Sequence, residues 1–326
     1  MSDPLILQAG ATRVVVDSAR GATITRFEVE PWGNLLAERT SELPLRASSS
    51  ASYGEEQLDW LSEYDGGWHV LFPNAGPACV VDGIPLPFHG EANRAAWTVE
   101  DVTSRTARLS TVCRLPLRLT REITVSAECV LVQETATNLS DREQHVVWGQ
   151  HPVFAATPGT QIDLPGGTLE TDAHYAPAAA DLVAGSRSTW PLATGLNGVV
   201  DVSVVPPGPC ERYLDVTNLP EPWAAVRDPQ RGVGVTISFD ETLFKHLWVW
   251  LEAEGTDFPW LGQVRYLGVE PHSSWPGTGL AAAIEDGRAT RIPPRGALQT
   301  WVSLRVFAAD QRRVTGVRSD GSPVLA

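Results

Sequence analysis

The sequence predicts an all-β protein: a large antiparallel sheet system with few short helices, folded as one β-sandwich domain over residues 1–326. Three observations predict it. From Trp97 to His151, strand-forming runs recur at about ten-residue spacing, the pattern of consecutive antiparallel strands. Elsewhere the chain shows no α/β alternation, phosphate-binding glycine loop, heptad pattern or linker composition. Only Glu55–Tyr64 places apolar residues, Leu58 and Leu61, at helical spacing, and it is short.

Thr12–Asp17 and Thr23–Glu30 are β-branched runs separated by Ala19-Arg20-Gly21, a hairpin signature. Trp32-Gly33-Asn34 turns the chain into Leu35-Leu36-Ala37, and serine-rich Ser41–Ser52 reads as loop. Gly66–Trp97 is crowded with glycine and proline yet rich in aromatic and apolar residues, so it reads as a functional rather than a disordered segment. Strands follow at Thr98–Thr103, Ala107–Arg114, Leu117–Val125 and Cys129–Asn138. Ala155–Gly198, rich in small residues, is expected to wrap over the sheets. Strands resume at Val199–Val205, Tyr213–Val216, Ala224–Arg227, Gly234–Phe239, His246–Glu252, Arg265–Glu270 and Leu298–Phe307.

With 43% hydrophobic residues the chain can fill a substantial core. Its formal net charge of −14 repels phosphate backbones, which argues against a nucleic-acid partner. Cys79, Cys113, Cys129 and Cys210 lie far apart without a C-x-x-C pair, so neither a zinc site nor a disulfide framework is expected. The N-terminus lacks a signal-peptide pattern and no apolar run approaches the ~20 residues of a membrane span. The expectation is a cytoplasmic protein without a membrane partner. Tryptophan stands out, with 12 residues against 5 tyrosines. Its flat apolar face and single N–H suit a sugar ring, and they equally suit a large β core.

The candidate chemistry begins at Gln144–Phe154 (QHVVWGQHPVF). Read as one strand, it puts His145, Val147, Gly149 and His151 on one face, with Gly149 bare beside His151 and Pro152 closing the strand. Gly268-Val269-Glu270-Pro271 repeats the device with a carboxylate. In His246–Glu252, Trp248 and Trp250 share a face with His246 and Glu252, as the wall of a carbohydrate groove or a second core would. His89, in Phe88-His89-Gly90-Glu91, is free to reach a ligand, and Asn74 in Phe72-Pro73-Asn74 is a polar anchor; both also suit turn capping.

Taken together, Phe72-Pro73-Asn74, His89-Gly90, His151-Pro152-Val153-Phe154 and Glu270-Pro271, in this order, resemble the aldose 1-epimerase (galactose mutarotase-like) superfamily over roughly residues 10 to 310. The resemblance implies a β-supersandwich with a sugar cleft on a concave sheet, His151 as general acid and Glu270 as general base. It makes His89 a residue that holds or polarises the sugar, and it requires no cofactor. Acid and base are then expected at opposite edges of one sugar, facing each other across a ring-sized gap, with pKa values near working pH. His145, deeper along the strand, reads as structural.

Departures bear on the substrate. Ala75 stands where the family often has an arginine, a role Arg94 could take; the family's sugar-binding aspartate has only Asp201 and Asp215 as counterparts; Val153 replaces a common tyrosine. The implied activity is interconversion of the anomers of an aldose, with His89, Asn74, Arg94, Trp248 and Trp250 binding the substrate. A hexose-phosphate mutarotase using Arg94 and Arg265 is one alternative, and a non-catalytic carbohydrate-binding protein is another. A glycoside hydrolase or lyase would pair Glu270 with Glu252 or Glu91.

Overall fold

The computed structural model describes residues 3–39, 52–175 and 177–326, so all but the last residue of the loop expected at Ser41–Ser52 lies outside it. Two large antiparallel sheets carry the fold. The thirteen-stranded sheet runs, edge to edge, through Leu5–Ala9, Thr12–Asp17, Thr23–Val29, Trp68–Leu71, Gly149–Ala155, Arg265–His272, His246–Ala253, Cys210–Thr217 and Thr168–Thr171. It ends in Arg187–Thr189, Leu192–Gly195 and Gly198–Asp201, with Gly33–Asn34 attached to the third strand. The eight-stranded sheet contains the four runs read between Thr98 and Asn138, adjacent and in sequence order.

Alternation explains how the sheets meet. In Cys129–Asn138, Val130, Val132 and Ala136 are buried while Cys129, Leu131 and Gln133 face outward to differing degrees. These residues, with Leu119 and Ile123 of the neighbouring strand, pack in the main core with Val70, Leu71 and Phe154 of the larger sheet. Each fully buried side chain of this size adds about 1.5–3 kcal/mol relative to exposure.

Four expectations are corrected. Gln144–Phe154 is two strands: Gln144–Val146 pairs with Thr290–Ile292 in a small sheet, and Gly149–Ala155 enters the large one. Between them the Val147 N–H donates to the Pro73 carbonyl and the Trp148 N–H to Ser273 Oγ, because Trp148 turns fully into the core. His145 and His151 therefore do not share a strand. Pro152 and Pro271 do not close their strands either; they oppose Trp68 and Leu247, and the ladders lack one donor at each while neighbouring pairs hold the register. Ala155–Gly198 does not wrap over the sheets: Thr168–Thr171, Arg187–Thr189 and Leu192–Gly195 extend the large one, in strands too short to show alternation.

The expected helix forms over Glu56–Ser62, with Trp60 rather than Leu58 or Leu61 buried beneath it. A second helix, Leu280–Glu285, was not legible in LAAAIE. Among the described residues no helix is long and apolar enough to cross a membrane.

Candidate active site

Residues opposite one another on neighbouring antiparallel strands point to the same face. Across the middle of the large sheet the register aligns His69 with His151, Glu270 with Trp248, and Trp248 with Asp215. His151 and Glu270 lie midway between the pairs Gly149/His272 and Val153/Gly268. Their side chains meet, His151 Nε2 lying 3.5 Å from Glu270 Oε1. One row of side chains thus crosses five strands: His69, His151, Glu270, Trp248 and Asp215. Further along the same face follow Trp250 beside Tyr213, then Glu252 beside Glu211.

The Glu56–Ser62 helix and the Pro87–Gly90 turn build a wall over this row. Together they enclose a cleft of about 470 Å³, lined by Trp60, Phe88, His89, His151, Trp248, Trp250, Trp260, Tyr213 and Glu270 among others. Trp60 stacks on Tyr64 with centroids 4.7 Å apart, and its Nε1–H donates to Asn93 Oδ1 at 3.0 Å. The Tyr64 hydroxyl lies 3.2 Å from His151 Nδ1. The neutral imidazole carries its hydrogen on Nε2 when the phenol donates and on Nδ1 when the phenol accepts, so Tyr64 can serve either tautomer. His89 has left-handed backbone (φ 60°), and its Nδ1 accepts the Gly76 N–H at 3.0 Å, which leaves Nε2 as the donor.

The two glycines have a different purpose from the one read in the sequence. A Cβ on Gly149 would overlap the imidazole of His272, and one on Gly268 would overlap the carboxyl of Glu270. Neither bare patch is kept open for a ligand; each houses a neighbouring side chain of the site. The ring-sized gap is also corrected, since His151 and Glu270 sit on adjacent strands 3.5 Å apart.

Burial dominates the electrostatics. It pushes Glu270 well above the usual carboxylate range, with the nearby Asp215 adding to the shift. It depresses His151 to about 4 and His69 to about 3, and it holds His89 and His272 well below their ordinary value. Asp215 is raised to about 8 by burial and then by Asp172 and Glu170. Glu252 is raised to about 9 by burial and the facing Glu211.

Of the residues singled out in the sequence, the cleft brings together His151, Glu270, His89, Trp248 and Trp250. Asn74 and Arg94 lie elsewhere. Asn74 is fully buried; its Nδ2 donates to the Pro77 and Pro87 carbonyls and its Oδ1 accepts the Leu280 N–H, tying the turn-rich segment to the second helix. Arg94 pairs with Glu63 at 3.4 Å on the surface. Arg265 donates to the Ala156 and Pro206 carbonyls, Glu91 accepts the Arg114 N–H, and Asp201 accepts the Ser203 N–H. Asp215 reaches the row of His69, His151, Glu270 and Trp248 without lining the cleft. Trp60, Tyr64, Tyr213, Glu211 and His272 went unassigned to the site in the sequence. Only His272 had a readable signal there, two residues beyond Glu270 on the same strand face. Among the described residues no group of three or more His, Cys, Asp or Glu could hold a metal ion.

The chain matches no protein-family model and no curated protein. Solved structures do match. The Slr1438 protein from Synechocystis sp. PCC 6803 is 19% identical, with 95% of this chain and 97% of that one covered at a TM-score of 0.69. A protein from Escherichia coli K12 named for aldose 1-epimerase is 16% identical, with 94% and 99% covered at a TM-score of 0.69. A galactose mutarotase related enzyme from Lactobacillus acidophilus is 13% identical, with 94% and 98% covered at a TM-score of 0.63. The fold of this chain is therefore galactose mutarotase-like.

Proposed function

We propose that the protein is an aldose 1-epimerase that interconverts the α and β anomers of a free aldose in this cleft. The observation that carries the reading is the contact of His151 Nε2 with Glu270 Oε1 at 3.5 Å inside a buried aromatic cleft. The anomeric and ring oxygens of a sugar are bonded to the same carbon. An acid and a base that exchange protons with both must therefore lie side by side, as this pair does.

Glu270 as carboxylate takes the proton of the anomeric hydroxyl while His151 as imidazolium gives its Nε2 proton to the ring oxygen. The bond from C1 to the ring oxygen breaks and an aldehyde forms. Rotation about C1–C2 and reclosure with the proton roles reversed give the other anomer. The open-chain state leaves Glu270 protonated and His151 neutral, the state that burial favours. The cleft thus lowers the energy of the intermediate relative to the charged pair, and one proton shared between the two groups is enough for a full cycle. His89, with Nε2 as donor, is placed to hold a sugar hydroxyl, and Trp250 offers its face to the ring.

An unphosphorylated sugar is favoured by the lining. Among the described residues it includes Asp172, Glu211, Asp257 and Glu270 and no lysine or arginine, and Arg94 and Arg265 are engaged elsewhere. The test is polarimetry on a panel of freshly dissolved aldoses and sugar phosphates. Acceleration for at least one free aldose is expected; none for any sugar, with the protein folded, overturns the reading.

A further inference from the structure

We propose that His272 is a positioning residue of the catalytic pair: as a neutral donor it holds the rear oxygen of Glu270 and favours its carboxylate form, so that Glu270 meets the sugar as a carboxylate. This rests on the mutarotase reading and adds a residue to it.

The Glu270 carboxyl lies between two imidazoles. Oε1 faces His151 Nε2 at 3.5 Å and Oε2 faces His272 Nε2 at 3.4 Å. His272 is fully buried and absent from the cleft lining, so it acts on a sugar only through Glu270. Its ring is held on both faces. Trp248 stacks on it with centroids 3.4 Å apart and planes within 10°, and the space above Gly149 is filled by the imidazole itself. Trp248 is anchored in turn by its Nε1–H to the Ser274 carbonyl at 3.2 Å.

Neither nitrogen of His272 has a hydrogen-bond partner. A buried imidazole with both nitrogens unpaired is a cost to stability, and such costs concentrate at functional sites. His246 opposes it in the ladder, and His89 and His151 are the other titratable groups acting on it, all histidines, so Glu270 is the carboxyl it meets. Glu270 in turn faces His151 and His272, with Asp215 beyond. With Nε2 carrying the hydrogen of the neutral ring, His272 lies beside Oε2 as a donor at 3.4 Å, not yet aligned as a hydrogen bond. The neutral ring keeps its proton throughout the cycle, and a donor beside Oε2 favours the carboxylate form of Glu270. A long contact of this kind shortens when substrate binds.

Two measurements test this. In His272→Gln, kcat should fall at least tenfold with KM within about threefold, and the limb on which activity rises with pH should move upward. A folded variant with wild-type kcat and an unchanged pH profile overturns the proposal, as does a kcat loss equal at every pH. In the wild type, 15N-histidine NMR should show the His272 ring nitrogens shifting in Glu270→Gln; unshifted resonances overturn it. The NMR arm decides the point even if His272→Gln does not fold. If the wild type accelerates no sugar, the mutarotase reading fails by itself while the NMR still reports on the His272–Glu270 contact.

Discussion

The Gly149–Ala155 strand separates two buried polar clusters that are built differently. Toward the second sheet, Gln150 accepts the Trp68 indole N–H at 2.9 Å and donates to Glu134 at 2.6 Å. Glu134 also accepts from Trp148 at 2.8 Å and from Arg121 at 2.9 Å, and both charged groups are buried. Toward the cleft, one residue along, His151 meets Glu270 at 3.5 Å and Glu270 meets His272 at 3.4 Å. His272 and Asp215 Oδ1 have unpaired atoms there. In the first cluster both oxygens of Glu134 accept hydrogen bonds of 2.6–2.9 Å, while Arg121 Nε and Nη2 have no partner. The second holds its groups near one another, at 3.4–3.5 Å, without satisfying them. Neither burial nor an unpaired polar atom alone marks a functional group; loose, unsatisfied contacts beside a cavity do.

If that contrast is right, substitutions on the two sides of one strand should separate activity from stability. The largest expected effect is on the cleft side: His151→Ala and Glu270→Gln should each lower the rate of anomer exchange by about 10²–10⁴-fold, with stability changed little or increased. Steady-state polarimetry and urea denaturation on the same preparations check both halves. On the core side, Glu134→Gln leaves Arg121 buried without its counter-charge and should cost about 3–5 kcal/mol, with the rate per folded molecule retained. An activity loss in folded Glu134→Gln matching that of Glu270→Gln would erase the distinction.

The pattern also shows why some of the site was legible in the sequence and some was not. Strand runs of alternating burial, such as Cys129–Asn138, carry their signal locally, so the eight-stranded half of the fold could be read in order. His151 and Glu270 were found through their Gly-x-x-Pro settings, although the glycines serve the bulk of His272 and Glu270 rather than a ligand. Trp60 and Tyr64 were inside the predicted helix, but their place over His151 depends on packing between elements 87 residues apart. The Glu211–Glu252 and Trp248–Asp215 neighbours arise from strand register, which alternation does not encode across distant segments. Asn74 matched a family motif and proved to be an anchor, because a buried amide making three backbone bonds reads the same in sequence as one that binds a sugar.

Smaller effects sharpen the comparison. Asn74→Ala leaves the Leu280 N–H and two carbonyls unpaired and should cost about 1–3 kcal/mol in denaturation, with KM unchanged after correction for folded fraction. Asp215 gives a pH signature. Its folded pKa of about 8 lies above the unfolded value of about 4, so the folded state keeps a proton that the unfolded state has released in between. Its contribution to stability is therefore complete below about pH 4 and is lost as pH rises through about 8. Relative to Asp215→Asn, the wild type should lose on the order of 1 kcal/mol per pH unit across that window, measured as urea midpoints; a flat difference would contradict the assignment. The smallest effect is expected at Arg94→Ala, which removes a half-exposed ion pair with Glu63 and should change stability by less than about 1 kcal/mol and leave kinetics untouched.

The central claim is that His151 and Glu270 act as one unit carrying one proton. Its most direct test is the rate of anomer exchange in the double variant His151→Ala/Glu270→Gln beside the two single variants. A shared proton predicts that the double variant is no slower than the slower single variant, within about threefold. Losses that multiply would show two independent groups and contradict the account.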